Sequence, residues 1–140
     1  MLPMSTDQAR ITGTILVVDD DEAILQTIKT ILSECGHTVL TARDGTKGLA
    51  AAEQTSPDLI LMDVVMPEMD GYETTRRLRE RPHLKNVPVI FLSGRSTGED
   101  AGRSFAHGGL TFVRKPFSTQ QLTDLVALTL QSLDESGETG

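Results

Sequence analysis

The sequence predicts a doubly wound α/β fold in which a five-stranded parallel sheet, with the order 2-1-3-4-5, is covered by five helices. Short apolar runs bounded by turn residues are typical of strands buried on both faces of a parallel sheet. Amphipathic stretches at helical spacing separate these runs. Because right-handed crossovers leave few topologies for such a chain, the order 2-1-3-4-5 is favoured, and strands one and three become neighbours.

The predicted strands are short runs rich in apolar and β-branched residues, each bounded by turn residues. They lie near 14–19, 38–42, 58–63, 88–92 and 110–113. The first contains Ile15-Leu16-Val17-Val18, and the third contains Leu59-Ile60-Leu61-Met62. Both of these runs lead directly into aspartates, which would therefore lie at the carboxyl ends of strands, the edge where ligands bind in open α/β sheets.

The predicted helices fill the intervals at 21–34, 44–54, from Gly71 up to Pro82, 97–107 and 118–133. Gly36 stops the first helix and Ser56-Pro57 the second. The third directs Tyr72, Thr75 and Leu78 inward and its arginines outward. The fourth is weak, because an interior glycine costs about 1 kcal/mol relative to alanine. The last places one apolar face inward: Leu122, Leu125, Val126, Thr129 and Leu133.

A chain of 140 residues fits one domain with a substantial core. The sequence is interpreted as a flexible N-terminal tail at 1–13, one domain at 14–133 and a disordered acidic tail at 134–140.

Composition and charge exclude several classes of protein. Lys plus Arg is 13 and Asp plus Glu is 20, which gives a net charge of −7 and argues against direct nucleic-acid binding. The single cysteine excludes an intrachain disulfide and a CxxC motif. No signal peptide and no apolar stretch of membrane-spanning length is present, so a cytoplasmic protein without membrane insertion is expected.

Three carboxylates are predicted to meet at one edge of the sheet. Asp19 and Asp20 follow the first strand, and Asp63 ends the third, its predicted neighbour. Like charges in one crevice repel each other, and a divalent ion with oxygen ligands, Mg²⁺ or Mn²⁺, removes that cost. The alternative is that the acids only cap the following helix, a role that suits Asp21 and Glu22 in either case.

Two further polar residues end strands at the same edge. Ser93 follows the fourth strand, and Lys115 follows the fifth. A hydroxyl donor and an ammonium facing carboxylates and a metal suit an incoming phosphoryl oxygen. Taken singly, each residue is more simply a turn serine or an exposed lysine, so the set of residues carries the argument.

In these motifs the chain resembles the receiver domains of response regulators in two-component signalling. The matching segments cover roughly residues 14 to 133: Ile15 to Asp21, Leu61 to Gly71, Leu92-Ser93-Gly94 and Val113 to Phe117. The resemblance implies that Asp63 accepts a phosphoryl group from a sensor histidine kinase or a phosphotransfer protein. It also implies a cis bond between Lys115 and Pro116.

The resemblance assigns the other site residues as well. Asp20 and Asp63 would bind Mg²⁺, the Val65 carbonyl would complete the protein ligands, and Asp19 would act through water. Ser93 and Lys115 would each meet a phosphoryl oxygen, and movement of Ser93 would let Phe112 turn inward. The alternative is that Phe112 only packs against the last helix. An apolar Val65 offers nothing to orient an attacking water, which predicts slow self-dephosphorylation rather than enzymatic turnover.

Activation would alter the face formed by the fourth helix, fifth strand and last helix, and so control a downstream protein. Whether it also forms a homodimer is left open.

Among rival interpretations, a degenerate receiver that serves only as a docking module is the more serious. A haloacid-dehalogenase-type phosphatase is less favoured, because Asp19-Asp20-Asp21 lacks the glycine that should follow. A flavodoxin-like cofactor carrier should not have four carboxylates in its first loop.

Overall fold

The computed structural model describes residues 11–94 and 111–139, and side chains as far as residue 133. Its strands are β1 (Thr14–Val18), β2 (Thr38–Ala42), β3 (Leu59–Asp63), β4 (Val89–Ser93) and β5 (Thr111–Arg114). Its helices are α1 (Glu22–Glu34), α2 (Gly45–Thr55), α3 (Gly71–Arg79) and α4 (Thr119–Thr139), with a 3₁₀ turn at Pro82–Leu84. The helix predicted at 97–107 lies outside the described residues.

All five strands form one sheet in the predicted order, β2-β1-β3-β4-β5, and each adjacent pair is parallel. β1 and β3 are neighbours, with Val18 paired to Met62. Asp19 and Asp63 are the next residues after this pair, so the register places both acids at one level of the carboxyl edge.

The sheet is buried on both faces, as expected for parallel strands between helices. Alternate residues of β1 enter opposite layers, so that Ile15 and Val17 pack with α1 and α4, whereas Leu16 and Val18 pack with α2 and α3. Phe91 is fully buried in the α2–α3 layer and meets Tyr72 edge-on, with ring centroids 4.8 Å apart. Both layers therefore hold the strands, and with them the carboxyl edge, in fixed positions.

The third helix packs as predicted, with one exception. Tyr72, Thr75 and Leu78 are buried. Arg79, expected on the outer face, is only partly exposed, because it donates to the carbonyls of Leu84 and Val87. That arginine fastens the turn between α3 and β4.

The last helix differs from the prediction in its length and its inner face. It runs to Thr139, where a disordered tail had been expected from residue 134. The helix continues because residues 134–139 contain no proline and because each residue added to a helix forms a further backbone hydrogen bond. A helix of 21 residues is about 31 Å long, whereas a strand of five residues is about 17 Å long, so the end of α4 extends beyond the sheet. Leu130 is therefore buried, whereas Leu133 is 39% exposed.

The predicted N-terminal tail is anchored in its described portion. The Gly13 amide donates to His37 Nδ1 at 3.2 Å, and the Thr38 amide donates to the Gly13 carbonyl at 3.0 Å. Ile11 packs against the α1–α4 layer. Within residues 11–94 and 111–139, no helix combines the length and the apolar character needed to cross a membrane.

Candidate functional site

Two adjacent strands bring the predicted acids to the carboxyl edge of the sheet. Asp19 is fully buried, its amide donates to the Ala42 carbonyl at 3.1 Å, and its Oδ1 accepts from the Asp21 amide at 2.9 Å. Asp21 in turn caps α1 by accepting from the amide of Ala23 at 2.9 Å. Capping and clustering therefore coexist in this loop, because different acids serve each purpose.

The carboxylates of Asp19, Asp20 and Asp63 form a single cluster. One oxygen from each lies within 4.8 Å of the others. Asp63 is 5% exposed, whereas Asp20 lies open to solvent at the mouth of the cluster. Three carboxylates this close, with one open side, are a donor set that fits a hard divalent cation.

Lys115 provides the positive charge of the site. The Lys115–Pro116 bond is cis, as predicted, and the Lys115 amide donates to the Ser93 carbonyl at 2.7 Å. Its Nζ donates to Asp19 Oδ2 at 2.8 Å and to Asp63 Oδ1 at 3.2 Å. The ammonium thus bridges two carboxylates that come from different strands.

The protonation equilibria follow from burial and from these contacts. Burial, reinforced by the Asp19 charge, raises the pKa of Asp63 from 3.8 to about 7, although Lys115 opposes the shift. Burial alone would lower the pKa of Lys115, but its bonds and charges with Asp19 and Asp63 outweigh burial and raise that pKa. The carboxylate cluster is therefore only partly neutralised by the ammonium, and a further cation would stabilise the ionised form of Asp63.

Ser93 lies on β4, the strand next to β3, and Phe112 lies on β5, one strand further along the sheet. Ser93 is 4% exposed at the end of β4, and Phe112 is half-buried on β5, in register with Phe91. Phe112 packs against the α2–α3 layer, so the alternative in which it packs against the last helix is wrong. Because side chains alternate along a strand, Phe112 and its neighbour Val113 face opposite layers, and Val113 is the one that faces α4.

Gly71, predicted as the start of the third helix, lies directly against the backbone of Asp63. A Cβ at Gly71 would overlap the Asp63 carbonyl oxygen, and the Gly71 amide donates to the Val64 carbonyl at 2.8 Å. Asp70 caps the same end of α3 by accepting from the Glu73 amide at 2.8 Å. The signal in the sequence was the Asp-Gly pair itself, since glycine permits this close approach of two backbones.

The loop between β3 and α3 leaves Val65, two residues after Asp63, with 63% of its surface exposed. The predicted roles of Asp63, Ser93, Lys115 and Val65 in phosphoryl chemistry remain predictions. What the structure brings together is the three acids and the lysine, with Ser93 ending the adjacent strand.

Comparison with known proteins assigns the family. Residues 15–127 match the response regulator receiver domain, and the chain belongs to that family. The family is regulatory, and its members act in phosphorylation-dependent signalling. The resemblance identified from the strand-end motifs is confirmed.

Two curated relatives illustrate the match. Protein PilG of Pseudomonas aeruginosa is 35% identical over 108 residues, which cover 77% of this chain and 80% of PilG. The DNA-binding dual master transcriptional regulator RpaA of Synechocystis is 34% identical over 120 residues. The chain spans only 50% of the length of RpaA, and it spans 27% of a probable cyclic di-GMP phosphodiesterase of Vibrio cholerae.

Solved structures agree in fold. The chemotaxis response regulator CheY4 of Vibrio cholerae superposes with a TM-score of 0.80 at 30% identity, covering 85% of this chain and 99% of CheY4. The signal receiver domain of a histidine kinase from Syntrophus aciditrophicus gives a TM-score of 0.78 at 38% identity, covering 86% and 91%. The flavodoxin-like receiver fold is thereby established.

Proposed function

We propose that this chain is a phosphorylation-dependent switch whose Asp63 accepts a phosphoryl group from the phosphohistidine of a sensor kinase or phosphotransfer protein. The observation that carries the proposal is the meeting of Asp63 with two other carboxylates and the Lys115 ammonium at one edge of the sheet. If the cluster had a purely structural role, its positive and negative charges would be expected to balance. Instead, burial and the charge of Asp19 raise the pKa of Asp63.

In the transfer, an Asp63 carboxylate oxygen forms a bond to phosphorus while the bond between phosphorus and the donor imidazole nitrogen breaks. The imidazole leaves with the electron pair and takes up a proton from solvent. Lys115 pairs with one phosphoryl oxygen, and the Ser93 hydroxyl donates to another, so that charge spread over the oxygens is matched by donors. The donor is already activated, so positioning is the main task of the protein.

The proposal assigns Mg²⁺, with Mn²⁺ as a substitute, to the carboxylate cluster. Asp20 and Asp63 would bind it directly, together with the Val65 carbonyl, and Asp19 would act through water. When bound, the ion supplies positive charge to the phosphoryl oxygens. The fit rests on the oxygen donors lying within 4.8 Å of one another and on the exposure of Asp20.

The output is a change in surface. Movement of Ser93 toward the phosphoryl group would free space for the half-buried Phe112 to turn inward. The face that includes β5 and α4 would then control a downstream protein, and a homodimer on that face is one form the response could take.

The proposal places the chain in the cytoplasm. Its single cysteine cannot form an intrachain disulfide, and proteins of the reducing cytoplasm rarely contain disulfides.

The test is phosphorylation by acetyl phosphate with Mg²⁺, read as intact mass. Wild type should gain one phosphoryl group, Asp63→Asn should gain none, and omission of Mg²⁺ should abolish the gain. Asp124→Asn, which removes an exposed carboxylate on α4, is the matched control and should behave as wild type. Absence of labelling in a folded wild type would instead favour a docking module without phosphoryl chemistry, and full labelling of Asp63→Asn would exclude Asp63 as the acceptor.

A further inference from the structure

His37 is a buried titratable side chain at the end of the sheet opposite to the carboxylate cluster. It lies between α1 and the start of β2, and 7% of its surface is exposed. Its Nδ1 accepts a hydrogen bond from the Gly13 amide at 3.2 Å. The next residue, Thr38, donates its own amide to the Gly13 carbonyl at 3.0 Å. Two consecutive residues therefore hold both polar groups of the Gly13 backbone.

The bond between His37 and Gly13 holds the segment that precedes β1. Ile11, two residues before Gly13, is partly buried against the α1–α4 layer. Ile11 and His37 also line a cleft of about 220 Å³, whose other side is formed by α4 residues that include Asp124. Because Ile11 is one wall of this cleft, the bond to Gly13 determines how far the cleft is covered.

This hydrogen bond depends on the protonation state of the imidazole. Nδ1 can accept only when it carries no proton, and in the charged ring both nitrogens are donors. Protonation would therefore set an N–H of His37 against the N–H of Gly13 and remove the bond. Histidine is the side chain that ordinarily changes its charge between about pH 5 and pH 8, so mild acidification is sufficient.

The charged and titratable groups around His37 offer the protonated ring an alternative. Asp124 of α4 lines the same cleft, and so does Cys35 at the end of α1. The carboxylate of Asp58, which precedes β3, lies against Gly13, where a Cβ would meet its Oδ2 at 2.8 Å. Among the described residues, no lysine or arginine lines the cleft. A charged ring therefore has carboxylates nearby, whereas a neutral ring has the Gly13 amide.

We infer that His37 is a pH-dependent anchor, which holds the segment before β1 at neutral pH and releases it on acidification. In the neutral state Nδ1 accepts from Gly13, and Ile11 packs against the α1–α4 layer. In the charged state the Gly13 amide loses its acceptor, Ile11 is no longer held, and the cleft between α1 and α4 opens. The stabilisation that this bond provides is thus present at pH 8 and lost as pH falls. The inference goes beyond the proposed function, because it requires neither a cation nor a phosphoryl group.

NMR of the ¹⁵N-labelled chain tests the anchor directly. At pH 8 the ring shifts of His37 should report a proton on Nε2 and none on Nδ1. Between pH 8 and pH 5.5, protection of the Gly13 amide from exchange with water, corrected for the intrinsic effect of pH, should fall at least about tenfold, and that of Thr38 should fall with it. The Thr14 amide, which donates to the Asp58 carboxylate, is the internal reference and should change by less than about twofold.

His37→Asn separates the anchor from a general effect of pH. The asparagine oxygen can accept from the Gly13 amide at any pH, so protection at pH 5.5 should stay within about twofold of that at pH 8. His83→Asn removes an exposed histidine of the 3₁₀ turn and is the matched control, which should keep the pH dependence of wild type. If His37→Asn does not fold, the wild-type titration decides, because the loss of Gly13 protection must have the same midpoint as the ring shifts of His37.

Three results would overturn the anchor. They are a proton on Nδ1 of His37 at pH 8, Gly13 protection that does not change while the ring titrates, and a pH dependence that persists unchanged in His37→Asn. Labelling of Asp63 by acetyl phosphate should be the same in His37→Asn as in wild type. Failure of the anchor would therefore leave the proposed function untouched, and failure of labelling would leave the anchor untouched.

Discussion

Strand β3 has an aspartate at each end, and the two serve different purposes. Asp58, just before the strand, is exposed and accepts a hydrogen bond from the Thr14 amide at 2.8 Å. Asp63, the last residue of the strand, is 5% exposed and faces two other carboxylates. Asp58 satisfies a backbone amide at the start of β1. Asp63 lies where burial and the charge of Asp19 disfavour its ionised form. A polar group whose interactions are incomplete is the better candidate for function than one that the backbone satisfies.

The largest expected effect is on the stability of the metal-free protein as a function of pH. The pKa of Asp63 is about 7 in the folded chain and 3.8 ordinarily, so the folded state binds the proton more tightly. The contribution of Asp63 to stability is therefore unchanged below about pH 4, falls as pH rises toward 7 and remains reduced above it. Asp63→Asn should remove this fall and increase the free energy of unfolding at pH 8 by up to about 4 kcal/mol.

Urea unfolding at pH 4 and pH 8, without divalent ions, measures this difference. Asp58→Asn is the matched control, because its amide oxygen can still accept from the Thr14 amide, and it should change stability by less than about 0.5 kcal/mol at either pH. Equal effects of the two substitutions at pH 8 would mean that the two ends of β3 do not differ as described.

Gly71→Ala should disturb the functional end of β3 through the backbone. The added Cβ would overlap the Asp63 carbonyl oxygen, whereas a Cβ at Gly94 would meet nothing within 4 Å. We expect Gly71→Ala to lower the free energy of unfolding by about 1–3 kcal/mol and to slow labelling by acetyl phosphate. Gly94→Ala should leave stability nearly unchanged. Identical denaturation curves for the two variants would contradict the close approach of α3 to β3.

Val65→Asn tests what limits the lifetime of the phosphorylated state. Val65, two residues after Asp63, is exposed, and its apolar side chain has no group to orient an attacking water. An amide at this position should speed loss of the phosphoryl group by about tenfold, equivalent to about 1.4 kcal/mol in the barrier. The decay of phosphorylated protein after removal of acetyl phosphate measures the rate. An unchanged decay would show that another feature of the site sets the lifetime.

The smallest effect concerns a buried hydroxyl away from the site. Thr75 is fully buried in α3, and its Oγ1 has no hydrogen-bond partner in the described part of the chain. Thr75→Val keeps the shape of the side chain and removes the unsatisfied group, so stability should rise by about 1 kcal/mol. Thr74→Val is the contrast, because the Thr74 hydroxyl donates to the Asp70 carbonyl at 2.8 Å. A loss of stability in Thr75→Val would reveal a role for its hydroxyl.

The sequence was sufficient to predict the sheet order and the meeting of three acids. Apolar runs such as Leu59 to Met62 define buried strands, and right-handed crossovers then place β1 beside β3. Because Asp19 and Asp63 each follow such a run directly, the register determines that they share an edge. Local pattern and topology therefore contain most of the information on the cluster.

What the sequence could not predict depends on contacts between distant elements. The bond between Lys115 and Asp19 joins residues far apart in the chain, and nothing near Lys115 distinguishes Asp19 from Asp63 as its partner. The overlap that excludes a side chain at Gly71 depends on how closely α3 approaches β3. The exposure of Leu133 depends on the length of the sheet rather than on helical spacing.

The central claim is that Asp63, and neither of its neighbours in the cluster, becomes the acyl phosphate. Borohydride reduction of the acetyl-phosphate-treated protein converts a phosphorylated aspartate to homoserine, and peptide mass spectrometry locates the product. We predict homoserine at position 63 in wild type, with Asp19 and Asp20 unmodified. Homoserine at Asp19 or Asp20, or its persistence in Asp63→Asn, would contradict the assignment.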